Sequence, residues 1–285
     1  LASLSKSITG APILKLVEDE KLTINALAHD VLASPDPEFV VRGMDERITI
    51  SHLLRHTAGF TRASGSAVRN NLQWDYEVYP EGTTNRLTVI NYALEHLNEA
   101  ATDPGDTYEY SNIGYLVLGE IVERLSLSEY GLTYEDYVKN NVLPANTEGV
   151  EIAHTAPDQP NQFTYTYYGN DRPIRMELRD AAGGWMASAP SLLSFLIATE
   201  YGELSSIYEN QEPCAPGGNH CYRAGFSING QIKSHSGSNP GTYSFMKLDR
   251  TNRMSCVIIF NARSTDRAFG NDVERTMTQV MRQPL

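Results

Sequence analysis

Ser3-Leu4-Ser5-Lys6 places a hydroxyl and an amine three residues apart. On a helix that spacing puts both groups on one face. A serine hydroxyl attacks a carbonyl well only when a base takes its proton. A lysine serves as that base when burial or cationic neighbours lower its pKa, and a serine in a helix's first turn gains from the positive end of the dipole. A second cluster, Tyr110-Ser111-Asn112, follows the turn Asp103-Pro104-Gly105 and stands just before a helix that starts near Ile113. A loop tyrosine there aims its phenol into a cleft; alternatively, Ser111 or Asn112 caps the helix and Tyr110 packs. In the third cluster, Lys233-Ser234-His235-Ser236-Gly237-Ser238, His235 and Gly237 share one strand edge. A glycine there lets a substrate backbone approach closely. The plainer readings are an N-cap serine beside a surface lysine, and a satisfied strand histidine beside a bulge glycine.

The elements that must position these groups fall into two kinds. Ile13, Leu14, Leu16 and Val17 make a helical stripe, which Pro12 should kink or loosen. Helices are also expected over Ile48 to Arg55, with Thr49 or Ser51 as N-cap, over Leu87 to Leu97 and over Ile113 to Leu125. Asn146 to Arg179 reads as a long irregular excursion, on which Tyr165, Tyr167 and Tyr168 either wall a substrate site or pack on themselves. The last third changes character. Tyr222 to Ile228, Gln231 to Ser236, Tyr243 to Leu248 and Ser255 to Asn261 read as strands, broken at Asn229-Gly230, Asn239-Pro240-Gly241 and Asp249 to Asn252. A helix over Asp272 to Met281 closes the chain. The pattern predicts an α+β fold: one domain over residues 1–285, a mainly helical lobe over 1–185, and a sheet lobe with its C-terminal helix over 186–285.

The 285 residues carry 23 Lys and Arg against 35 Asp and Glu, a formal net charge of −12. That acidity argues against nucleic acid or an anionic membrane as main partner. No apolar run reaches the roughly 18 residues of a membrane span. Cys214 and Cys221 flank a short Pro/Gly-rich loop, and a disulfide closing it would imply an oxidising compartment; two free thiols are the alternative. Cys256 stands in a stretch that reads as a buried strand, an inert core thiol. No spacing of metal ligands occurs.

Ser-x-x-Lys, Tyr-x-Asn and His-x-Gly, in that order, resemble the penicillin-recognising serine hydrolases, and among them the class C β-lactamase-like family of β-lactamases, D-stereospecific peptidases, family VIII esterases and some acyltransferases. Leu53 to Gly59, Tyr110 to Tyr115 and Ala182 to Ser188 agree with the family, so the resemblance covers nearly the whole chain. It implies a β-lactamase/transpeptidase-like fold with the cleft between the lobes. By it, Ser3 is the acylated nucleophile, and Lys6 and Tyr110 shuttle its proton. Asn112 contacts the acyl group's amide or orients Lys6. His235 stands where lysine is frequent, and the N–H groups of Ser3 and Ser238, beside Gly237, form the oxyanion hole. Such chemistry uses no metal and no cofactor. The implied activity is hydrolysis of a small-molecule or peptide ester or amide. His235 lacks a permanent cation, which favours an esterase or D-peptidase over a β-lactamase. Acyl transfer, or an inactive binding module, would use the same scaffold. His56 is expected to fix the lobe's fold, and Trp185 to line the cleft or pack in the core. Family members carry strands before Ser-x-x-Lys, here preceded only by Leu1 and Ala2, so a separate N-terminal segment is expected to complete the sheet. Secretion or a periplasmic location fits the expected disulfide and the acidic balance.

Overall fold

The structure, a computed structural model, describes residues 1–33, 40–60, 85–97, 102–153, 175–209, 220–239 and 241–282, the last without 263, 265 and 267. Tyr165, Tyr167, Tyr168, Cys214 and Pro240 lie outside them.

Helix α1 (Ser5–Glu18) runs through the centre of the fold, with eleven of its fourteen residues buried. Pro12 sits inside it and does not end it. Packing on every side supplies what the missing N–H withholds. Around it stand α2 (Ala28–Val31), α3 (Ile50–Leu54), α4 (Arg86–Leu97), α5 (Asn112–Tyr130) and α6 (Tyr134–Asn141). Thr49 is the N-cap of α3, its hydroxyl accepting from His52 N while the His52 ring accepts from Thr49 N, a capping box with histidine in the usual Glu position. α5 begins at the Ser111 cap, whose Oγ accepts from Gly114 N at 3.2 Å, and ends at Gly131 in the left-handed conformation.

Beyond a two-stranded pair, β1 (Glu151–Ile152) and β2 (Trp185–Met186), come α7 (Ala189–Tyr201) and α8 (Ser205–Glu209). A five-stranded antiparallel sheet follows in chain order: β3 (His220–Arg223), β4 (Phe226–Asn229), β5 (Ile232–Asn239), β6 (Thr242–Asp249) and β7 (Met254–Phe260). α9 (Phe269–Val280) comes last. The expected α+β arrangement is present.

Four sequence readings are corrected here. The single strand expected over Tyr222 to Ile228 is a hairpin, because Ala224 (φ 41°) and Gly225 (φ 85°) make a two-residue turn with both residues left-handed. An Ala-Gly pair between Arg223 and Phe226 carries little turn signal. α6, α7 and the β1–β2 pair were not legible as elements. β7 is not a buried central strand: it is an outer strand, all seven of its residues half-buried. Cys256 is accordingly a half-buried free thiol, its pKa raised by desolvation and its Sγ 3.2 Å from Met281 Sδ. Cys221 is disulfide-bonded; its expected partner, Cys214, is outside the described residues. No helix among them is long and apolar enough to cross a membrane.

The β3–β4 turn docks directly on α1. Ser7 Oγ donates to Gly225 O at 2.6 Å, and a Cβ on Gly10 would stand 2.4 Å from Ala224 O. Glycine to alanine inside a helix ordinarily gains about 1 kcal/mol of helix propensity. At Gly10 the overlap with backbone reverses the sign, since overpacking costs about 1–3 kcal/mol. Gly10→Ala is therefore expected to lower the midpoint of thermal unfolding.

Candidate active site

Ser3 lies in a 3-10 turn, Ala2–Leu4, that leads into α1. It is half-exposed, while its neighbours from Leu1 to Leu14 are all buried. The turn is held against β5 and β6. Ser244 Oγ donates to Leu1 O at 2.6 Å, and a Cβ on Gly237 would stand 2.2 Å from that oxygen and 3.0 Å from Ser3 N. Gly237 and Ser244 are register partners. The Cβ that Gly237 lacks would thus meet the chain's own backbone at Leu1 to Ser3. Ser238 follows on β5 and is exposed.

Lys6 projects from the first turn of α1 and has no exposed surface. Its Nζ is 2.6 Å from Asn112 Oδ1, 2.6 Å from Ala182 O and 3.4 Å from Ser3 Oγ. Asn112 is the first residue of α5, so the start of one helix meets the start of the other. The Ala182 carbonyl comes from a π-helical turn, Asp180–Gly184. Burial lowers the Lys6 pKa well below its ordinary value, and the charge of buried Arg179 lowers it further. Among the described residues no carboxylate pairs with it, so both effects favour the amine over the ammonium ion. A neutral amine has two N–H bonds and one lone pair. Asn112 Oδ1 and Ala182 O take the two N–H bonds, and the lone pair is left for the Ser3 hydroxyl.

The Tyr110 ring lies beside this pair, its centroid 4.9 Å from Lys6 Nζ. His235 is buried on β5, and both of its nitrogens are engaged within the fold. Nδ1 donates to Ser236 O at 2.6 Å, which leaves Nε2 to accept from the Tyr222 hydroxyl at 2.7 Å. Desolvation first, then Lys6, holds its pKa down at about 3. His235 is therefore a neutral ring at all ordinary pH values, with no N–H free for a ligand. The nearby cation Lys233 donates to Thr199 Oγ1 at 2.9 Å and pairs with Glu200 at 3.4 Å.

Ser3, Lys6, Asn112 and Tyr110 are thus brought together, with Gly237 at the nucleophile's turn and Ser238 and His235 on the same strand. Of the two readings of the Tyr-x-Asn segment, Ser111 takes the cap and Asn112 the lysine. Sequence reasoning did not assign the Ala182 carbonyl, Arg179 or Tyr222. A carbonyl has no residue-type signature, and Tyr222 reads like any strand tyrosine. Trp185 belongs to the core. It is fully buried, with Nε1 donating to Tyr134 OH at 2.9 Å and its backbone N to Ser5 Oγ at 3.1 Å.

Residues 1–277 match the family model described as Beta-lactamase. The chain belongs to the beta-lactamase family. Its solved neighbours share the β-lactamase/transpeptidase fold. A penicillin binding protein from Bacillus halodurans superposes with a TM-score of 0.74 at 21% identity, covering 98% of this chain and 84% of that one. The D-amino acid amidase of Ochrobactrum anthropi does so with 0.74 at 18% identity, covering 99% and 84%. Among curated sequences, the probable fimbrial assembly protein FimD of Dichelobacter nodosus is 26% identical over 226 residues, 75% of this chain and 52% of that protein. The chain spans about half the length of the curated relatives it matches.

Proposed function

We propose that this family member is a serine hydrolase that cleaves an ester or amide bond through an acyl-Ser3 intermediate. The observation that carries this reading is the environment of Lys6, whose Nζ donates to the Asn112 and Ala182 oxygens while Ser3 Oγ stands 3.4 Å away. Ser3 Oγ attacks the carbonyl carbon and its proton passes to Lys6 Nζ. The ammonium so formed keeps the Asn112 and Ala182 oxygens as acceptors. Tyr110, adjacent to that nitrogen, relays the proton to the departing alcohol or amine as the carbonyl–heteroatom bond breaks. Water then repeats the sequence against the acyl-enzyme. The N–H groups of Ser3 and Ser238 receive the developing oxyanion, each such donor being worth about 2.7–4 kcal/mol in the transition state.

The substrate class follows from the third motif. A permanent cation there would suit a substrate carboxylate, whereas His235 is neutral and internally bonded. That supports neutral esters and amides, including D-amino acid amides such as the amidase neighbour's name indicates, over penicillins. The disulfide at Cys221 supports an oxidising, hence secreted or periplasmic, location.

The test is intact-protein mass spectrometry after incubation with a fluorophosphonate. A single adduct mapped to Ser3, absent from Ser3→Ala, is the expected result. Labelling that persists in Ser3→Ala would assign the nucleophile elsewhere. Hydrolysis rates on a neutral D-amino acid amide, an aryl ester and a penicillin are expected to rank the penicillin last.

A further inference from the structure

We propose that His56 is the positioning residue for the Tyr110 phenol, holding it against Lys6 by fixing the backbone on both sides of it. The proposal rests on the reading of Tyr110 as proton relay and adds to it the part that aims the relay.

The stretch His56 to Gly59 accepts a series of hydrogen bonds from the segment that carries Tyr110. Thr102 N donates to Gly59 O at 3.2 Å, Gly105 N to Thr57 O at 2.8 Å and Glu109 N to His56 O at 2.7 Å. The series ends on a side chain, with Ser111 N donating to His56 Nδ1 at 3.1 Å. One residue thus binds the backbone immediately before and immediately after Tyr110. It does so from a left-handed conformation, φ 58°. Few side chains adopt that conformation without a compensating contact, and histidine and asparagine are among those that do.

The ring continues the same function. His56 packs on Tyr110 with centroids 4.4 Å apart, and it also contacts Tyr222 at 4.4 Å and Tyr115 at 5.0 Å, with Tyr108 edge-on at 6.0 Å. Tyr115 and Tyr222 are buried, so His56 transmits the rigid core to the underside of the Tyr110 ring. His56 itself is 2% exposed. With Nδ1 an acceptor, Nε2 carries the proton, and it makes no hydrogen bond in this aromatic enclosure. The acceptor role needs a neutral ring. Burial is the first cause that acts in that direction. His56 therefore acts through Tyr110 and not on the reacting atoms.

Single-turnover acylation of Ser3 by D-phenylalanine amide, whose departing amine must gain the relayed proton, measures the effect. His56→Phe keeps a ring but lacks the acceptor, while His56→Asn keeps a short acceptor and tolerates the left-handed backbone. His56→Phe is expected to slow acylation about tenfold to a hundredfold, the usual penalty for misplacing a catalytic group by about 1 Å. His56→Asn is expected to recover most of it, and the apparent affinity for the amide should change little in either. In a Tyr110→Phe background, His56→Phe should add no further loss, a result that a general structural defect would not produce. If Tyr110→Phe itself leaves the rate unchanged, the relay reading fails. If Tyr110→Phe is slow and His56→Phe is not, or if the two losses multiply, the positioning role fails on its own. Nitrogen-15 NMR of wild-type His56 tests it without any variant: a neutral ring protonated on Nε2 is required, and the Nδ1–H tautomer overturns the proposal.

Discussion

Lys6→Met is expected to lower turnover by about 10³-fold or more, to near the level of Ser3→Ala, because it removes the base while keeping much of the side chain's volume. Lys6→Arg is expected to give no rescue. A guanidinium stays protonated and cannot fit where the amine meets the Asn112 and Ala182 oxygens at 2.6 Å. The sign of the pH dependence follows from the lowered Lys6 pKa. Activity falls on acidification as the amine acquires a proton and its lone pair is lost. Stability moves in step. Between the depressed native pKa and the ordinary value of 10.5, the unfolded chain binds the proton and the native one does not. Stability therefore rises with pH across that window, and Lys6→Met is expected to flatten the rise. Rates measured from acid to neutral pH, with urea unfolding at the same values, check both. A turnover retained in Lys6→Met would exclude Lys6 as the base.

Arg86→Leu is expected to destabilise the fold by about 3–5 kcal/mol, the usual cost of removing one partner from a buried ionic cluster. Arg86 on α4 has a side chain 7% exposed, close against the Asp180 carboxylate and within 3.4 Å of Glu120 and 3.6 Å of Glu123 on α5. Its guanidinium also lies 5.2 Å from the centroid of the Tyr134 ring. Asp180 opens the π-helical turn that supplies Ala182 O to Lys6, and Thr9 Oγ1 donates to Ala181 O in the same turn at 2.6 Å. Losing Arg86 leaves the Asp180 charge uncompensated at the base of that turn. Activity should therefore fall beyond what the unfolded fraction explains. The double variant Arg86→Met with Asp180→Asn should recover part of the stability, since the isolated carboxylate is gone. Urea midpoints for the single and double variants decide the matter. A loss below about 1 kcal/mol in Arg86→Leu would mean that the cluster is a surface-like pair of little worth.

The chemistry was legible in the sequence because it resides in residue types at short, ordered spacings. Ser3 and Lys6 must share a face if the segment is helical, and Tyr110 and Asn112 must flank a helix start. The strands after Gly230 were legible for a similar local reason, apolar alternation between strong turn residues. Other features depended on residues distant in sequence. The Ala182 carbonyl reaches Lys6 from a turn that Arg86, ninety-four positions before Asp180, helps to anchor. The lowered pKa of Lys6 comes from burial and from Arg179, neither of which spacing reveals. His235 reads as a candidate acid or base until Tyr222 and Ser236 are seen to take both nitrogens. His56, expected to fix the lobe, does so at one particular place, on both sides of Tyr110. Local sequence thus specified which groups are present. Tertiary packing decided their protonation and aim, because desolvation and hydrogen-bond partners are properties of the assembled interior and not of the chain.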